Sequence, residues 1–167
     1  MNRDKNLAKK RMMYIHREDY NFLTYNLLLV LFVFECFSES KSFTDFRKIA
    51  YLIDFISSPS NIDTYNKTEL ANIYSKAQLK KKLLSHLLIV LNNKNYIGIK
   101  LNNTRKTLDV WLKVDELPID FIDLKYFDQE IGNINQLKKL VGRMRTVTIK
   151  TVVDKIFTDN GVLTWEV

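Results

Sequence analysis

Acid–base, thiol, metal and phosphate chemistry each need particular side chains, and this chain of 167 residues offers few of them. Its two histidines are His16, beside Arg17 and Glu18, and His86, in a leucine-rich run. His86 has no Asp, Glu or Cys three or four residues away, so it reads as a core or edge histidine, not a metal ligand. Cys36 is the single cysteine and follows an apolar run, with no cation close in sequence to lower its thiol pKa. One cysteine excludes an intramolecular disulfide and the multi-cysteine zinc sites, and suits a reducing cytoplasm. The four glycines, Gly98, Gly132, Gly142 and Gly161, are isolated, so no glycine-rich phosphate loop is present. Asp120, Asp123, Asp128 and Glu130 cluster their carboxylates without a neighbouring histidine or hydroxyl, which reads as a solvated acidic face. The expectation is a protein that is not an enzyme, with no catalytic residue, no metal and no cofactor.

Charge is the next clue. Between residues 58 and 115, ten Lys and Arg stand against four Asp and Glu, and between 1 and 19 six stand against three. The other two stretches are close to balance, so the net charge of +7 sits on these two segments. Clustered positive charge suits a polyanion such as DNA.

The elements that carry this charge have a readable pattern. With 46% apolar residues the chain can bury a core, and four glycines with two prolines favour long regular elements. A helix is predicted from Tyr20 to about Glu39, apolar on nearly every side. Its run of eight apolar residues from Leu27 to Phe34 is shorter than the roughly 20 needed to span a membrane. A second helix is predicted from a hydroxyl cap in Ser42–Asp45 to about Ser57, closed by Pro59. Asp54, alone among its apolar neighbours, reads as solvated at a helix edge. A polar connection follows, with a short helix around Thr68 to Ile73. In the stretch from Tyr74 to Val114, Leu79, Leu83, His86, Leu87 and Val90 mark a helical stripe. Then Ile97, Ile99 and Leu101, and Leu108, Val110 and Leu112, alternate across a polar turn. Period 3.6 giving way to period 2 describes a helix followed by a wing. The fold expected is α+β and mainly helical: a winged helix-turn-helix core with a two-stranded wing and a C-terminal helical extension. Its nucleic-acid-binding candidates are Lys76, Lys80, Lys81 and Lys82 on the helix and Arg105 and Lys106 at the wing tip. Lysine suits phosphate better than base edges, so any contact to double-stranded DNA would be sequence-independent.

Three regions are predicted: a basic arm (1–19), the winged-helix domain (20–115), and a linker with a helical extension (116–167). The extension holds helices at about Asn133–Arg145 and Thr148–Thr158, stopped by Asn160-Gly161, and a final short strand. One small domain rarely covers a helix that is apolar all round. The second apolar side of the first helix, with Phe22, Tyr25, Leu29 and Phe32, is therefore expected to form a partner interface. Phe121, Tyr126 and Phe127 of the acidic-aromatic linker join it.

Tyr25-Asn26-Leu27-Leu28 and the run Phe46 to Ile56, ahead of a lysine-bearing helix and hairpin, resemble the middle components of bacterial ABC-three-component systems. Those include the Lamassu-type antiphage systems. The resemblance covers roughly residues 20–115 and contains no catalytic motif. It implies a cytoplasmic, non-enzymatic winged-helix adaptor joining an SMC-like ATPase to an effector subunit, often a nuclease, with no membrane partner. The alternative is a DNA-binding winged-helix transcriptional regulator.

Overall fold

The first helix, α1 (Tyr20–Val33), has no polar side to show to water, and Phe22, Leu23 and the whole run Leu27–Leu31 are buried. The computed structural model describes residues 20–118 and 120–165; the expected basic arm lies outside them. The one buried polar side chain of α1, Asn26, returns its amide to the Phe22 carbonyl at 2.8 Å. The helix stops at Val33, short of the expected Glu39, because Glu35 turns left-handed with φ 54°. Cys36 N–H then reaches back to Leu31 O at 2.9 Å and Glu35 N–H to Phe32 O at 3.0 Å, the bond pair of a Schellman closure.

The next stretch differs from expectation in kind. No hydroxyl caps it: Asp45, at φ 55°, accepts the Arg47 amide and holds its guanidinium at 2.7 Å. One helix to Ser57 was expected, but a 3-10 helix, Phe46–Tyr51, leads into a single α turn, α2 (Ile53–Ile56). Every residue from Lys48 to Ile53 is buried, a run that a one-faced surface helix cannot bury. Just before it, Phe43 pairs with Val110 in an antiparallel bridge.

Helix α3 (Lys67–Asn93) merges the short and the long helix predicted separately. Asn66 and Glu69 form a capping box, each side chain accepting the other's amide at 2.9 and 2.8 Å, and this moves the start to Lys67. The stripe it buries runs through Leu70, Tyr74, Ala77, Leu84, Leu88 and Leu91. The expected stripe is rotated from this one. Leu87 is buried and Leu83 partly so, while Leu79, His86 and Val90 face solvent. Both stripes have helical spacing, and the longer one, with Tyr74 against Tyr51 at 5.5 Å, faces the core.

Strands β1 (Ile97–Asn102) and β2 (Thr107–Leu112) form an antiparallel pair in register Ile97↔Leu112 to Asn102↔Thr107. Trp111 lies across Gly98, where an added Cβ would stand 2.1 Å from the indole. Helix α4 (Asp128–Leu140) starts and ends about five residues before expectation, and α5 (Ile149–Ile156) follows from a Thr148 cap. Gly161, at φ 82°, closes the final turn as its type requires. Of the strand expected over Val162–Val167, residues 162–165 are not in one, and 166–167 lie outside the described residues.

One core spans the described residues. Ile134, Leu137, Val141, Val152, Val153 and Phe157 belong to the same buried cluster as α1, α3 and β2. The architecture is α+β, mainly helical, with a two-stranded antiparallel sheet. Among the described residues no helix is long and apolar enough to cross a membrane.

Candidate functional site

The lysines expected to meet DNA do not form one face. Lys80 is buried at 2% exposure, and its ammonium sits 3.1 Å from Asp54. Lys80 is therefore not available to DNA, and Asp54 is its counter-ion instead of a solvated edge. An ammonium shut away from water needs such a partner. Lys81 lies over the Tyr51 ring at 4.8 Å and donates to Gln78, whereas Lys76 and Lys82 are exposed. At the hairpin tip Arg105 donates to Thr146 O at 2.7 Å, tying the tip to the loop after α4, and Lys106 is exposed beside it.

The expected partner interface is largely internal. Phe22, Leu29 and Phe127 are buried in this chain's own core and are withdrawn as interface residues. Tyr25 stacks on Phe121 at 5.0 Å, 6° from parallel, and meets Phe127 at 5.7 Å. Tyr126 packs edge-on to Phe127 at 4.8 Å, and burial, then the Glu130 carboxylate, push its phenol up to about 12. Phe32 is covered in part by Phe37 at 5.6 Å. The linker aromatics are thus the cover that α1 lacked in the sequence.

Part of the stripe expected to be core faces water. Leu79 and Val90 of α3 are 49% and 48% exposed, with Leu83 partly buried and His86 exposed between them. At 3.6 residues per turn, Leu79, Leu83, His86 and Val90 fall within about 60° of arc along about 16 Å of helix. Lys76 and Lys82 lie on either flank of this seam.

A second feature was not foreseen. The end of α1, the turn Glu39–Lys41 and the α4–α5 loop enclose a cleft of about 340 Å³. Lys41, Lys138, Arg143 and Arg145 line it, with Phe34 and Met144 as apolar wall and Glu35 as its carboxylate. The α4–α5 loop is fixed from beneath by Lys48, which is fully buried. Its ammonium donates to Met144 O and Val147 O at 2.8 Å, to Arg145 O at 3.2 Å and to Thr44 Oγ1 at 3.1 Å. Thr44 also gives Arg145 O its amide and its hydroxyl, at 3.0 and 2.9 Å. Burial pulls the Lys48 ammonium down to about 7, against the opposing pull of Asp45.

Cys36 is buried behind this region. Burial pushes its thiol up to about 12, although Arg145, Lys48 and Lys138 draw it the other way. A thiol held in that form is a poor nucleophile at neutral pH. Those cations come from distant parts of the chain, so no local sequence signal marked them. Among the described residues no three His, Cys, Asp or Glu stand close enough to hold a metal.

No protein-family profile, curated protein or solved structure matches this chain.

Proposed function

We infer that this protein is a non-enzymatic adaptor that docks a partner helix along α3. The carrying observation is the apolar seam of Leu79, Leu83 and Val90, half-exposed at Leu79 and Val90 and set between Lys76 and Lys82. Apolar surface repeated at helical spacing and edged by cations suits an amphipathic helix whose own apolar seam is edged by carboxylates. The order α1, Phe43 bridge, second helical segment, α3 and hairpin supports a winged-helix reading of residues 20–115. The resemblance to the middle components of ABC-three-component systems supplies the partners: an SMC-like ATPase, rich in coiled coil, and an effector subunit.

The regulator reading stands second. It keeps Lys76, Lys82 and the hairpin tip, but it loses Lys80 to the core. The ten residues between Ile56 and Lys67 also make a longer connection than the three or four of a helix-turn-helix.

Co-expression with a coiled-coil ATPase of this kind is the test. The wild-type chain is expected to co-purify with it and to self-associate alone, and Leu79→Lys with Val90→Lys to abolish both while leaving the melting temperature in place. A lone protein that stays monodisperse, and an ATPase that elutes without it, would overturn the reading.

A further inference from the structure

The cleft beside the α4–α5 loop carries an inference independent of the docking seam. Four cations border one cleft, and none of Lys41, Lys138, Arg143 and Arg145 has an ion-pair partner among the described residues. Lys138 instead lies 5.5 Å above the Phe34 ring. Like charges gathered without counter-ions repel one another, and an anion placed among them relieves that cost. The loop that supplies two of them is held in place. Three of its carbonyls, those of Met144, Arg145 and Val147, point down to the Lys48 ammonium. From this anchored backbone Arg143 and Arg145 line the cleft. Arg105 adds a second tether from the hairpin tip through Thr146 O. Cations on a backbone fixed at both faces lose little entropy on meeting a ligand.

We propose that this cleft binds a small polyphosphate ligand of the nucleoside diphosphate type. Guanidinium groups match phosphate oxygens in a two-pronged geometry, and two arginines with two lysines suit adjacent phosphoryl groups. Phe34 and Met144 give an apolar wall for the rest of such a molecule. The volume decides against a duplex: about 340 Å³ lies at the lower end of small-ligand sites. A DNA footprint instead needs cations spread along the helix axis, one phosphate charge about every 1.7 Å. Glu35, the one carboxylate of the lining, is exposed, and its charge selects against ligands without excess negative charge.

Calorimetric titration of the full chain with ADP, with pyrophosphate and with a 20-base-pair duplex tests this. Lys138→Gln with Arg143→Asn removes two cations from the cleft, and asparagine accepts the left-handed backbone found at position 143. Lys76→Gln with Lys82→Gln removes the same charge from the seam of α3. The expected result is saturable one-to-one binding of ADP and pyrophosphate, weakened at least tenfold by the cleft pair and unchanged by the seam pair. Circular dichroism melts confirm that both variants fold; if the cleft pair does not, Lys41→Gln, on the opposite wall, is expected to weaken binding severalfold in its place. The proposal is overturned by no heat from either small ligand, by equal losses in both variants, or by a duplex that binds more tightly than ADP through the cleft.

Discussion

Lys48 shows how a residue that reads as surface in a sequence becomes the pin of a fold. In Phe46-Arg47-Lys48-Ile49 nothing separates it from a solvated lysine, because its acceptors are carbonyls some hundred residues later. Replacing it with methionine keeps most of the volume and leaves the carbonyls of Met144 and Val147 without their Lys48 donor, while Arg145 O keeps Thr44. A cost of about 3 kcal/mol is expected from urea denaturation at pH 7, the scale of stranding buried polar groups. The pH dependence has a definite sign. The unfolded lysine keeps its proton to its ordinary value of 10.5, whereas the folded one releases it near 7. Above pH 7 the unfolded state therefore holds more protons, and stability rises with pH. Cys36 acts in the opposite sense, since its folded thiol keeps a proton to about 12 while the unfolded one loses it near 9.0. Stability is expected to climb from pH 7 to about 8.5 and then to flatten or fall, and Lys48→Met is expected to lose the climb. A variant with the wild-type slope would show that Lys48 does not titrate in this window.

At the scale of elements, the hairpin was legible and the helix faces were not. Strict alternation through Ile97, Ile99 and Leu101 and through Leu108, Val110 and Leu112 marks one face of each strand, and the observed register pairs these residues with one another. Close contact across the pair adds a constraint that alternation does not show: Gly98 is a glycine because Trp111 occupies the space above it. Gly98→Ala would force the indole aside, with an expected loss of about 2 kcal/mol and a red shift in tryptophan emission. In a Trp111→Val background the same substitution is expected to cost far less. An equal cost in both backgrounds would place the strain in the backbone and not against the ring. For α3 the sequence held two apolar stripes at helical spacing, one through Leu70, Tyr74 and Leu84, the other through Leu79, Leu83 and Val90. Periodicity cannot rank them. What ranks them is the Tyr51–Tyr74 stack and the pairing of Lys80 with Asp54, both contacts between elements. No local pattern marks the cleft, for the same reason: Lys41 and Lys138 are almost a hundred residues apart, and only the closure of α1 against α4 brings them to one place.

At the scale of the whole molecule, the division at residue 115 is the point where sequence texture and packing part company. The composition does shift there, to an acidic-aromatic linker and then two amphipathic helices, and that shift reads as an extension. Packing ties the two parts together. Phe157 meets Tyr51 at 5.8 Å, Tyr74 at 5.3 Å and Phe55 at 6.1 Å, so one aromatic cluster joins α5 to α2 and α3. Ile134 and Leu137 of α4 complete the buried cluster around α1, and the loop after α4 supplies the acceptors for Lys48. A fragment ending at Asp115 would expose the underside of α1 and leave a buried ammonium without its cage. Such a fragment is expected to lack a cooperative thermal transition and to bind a hydrophobic dye, whereas a self-sufficient winged-helix domain would melt sharply on its own. Adding residues 116–165 as a separate chain is expected to restore the transition, because what is missing is apolar surface and hydrogen-bond acceptors, not a covalent link. If the short fragment melts cooperatively unaided, α4 and α5 are appended to the core and do not belong to it.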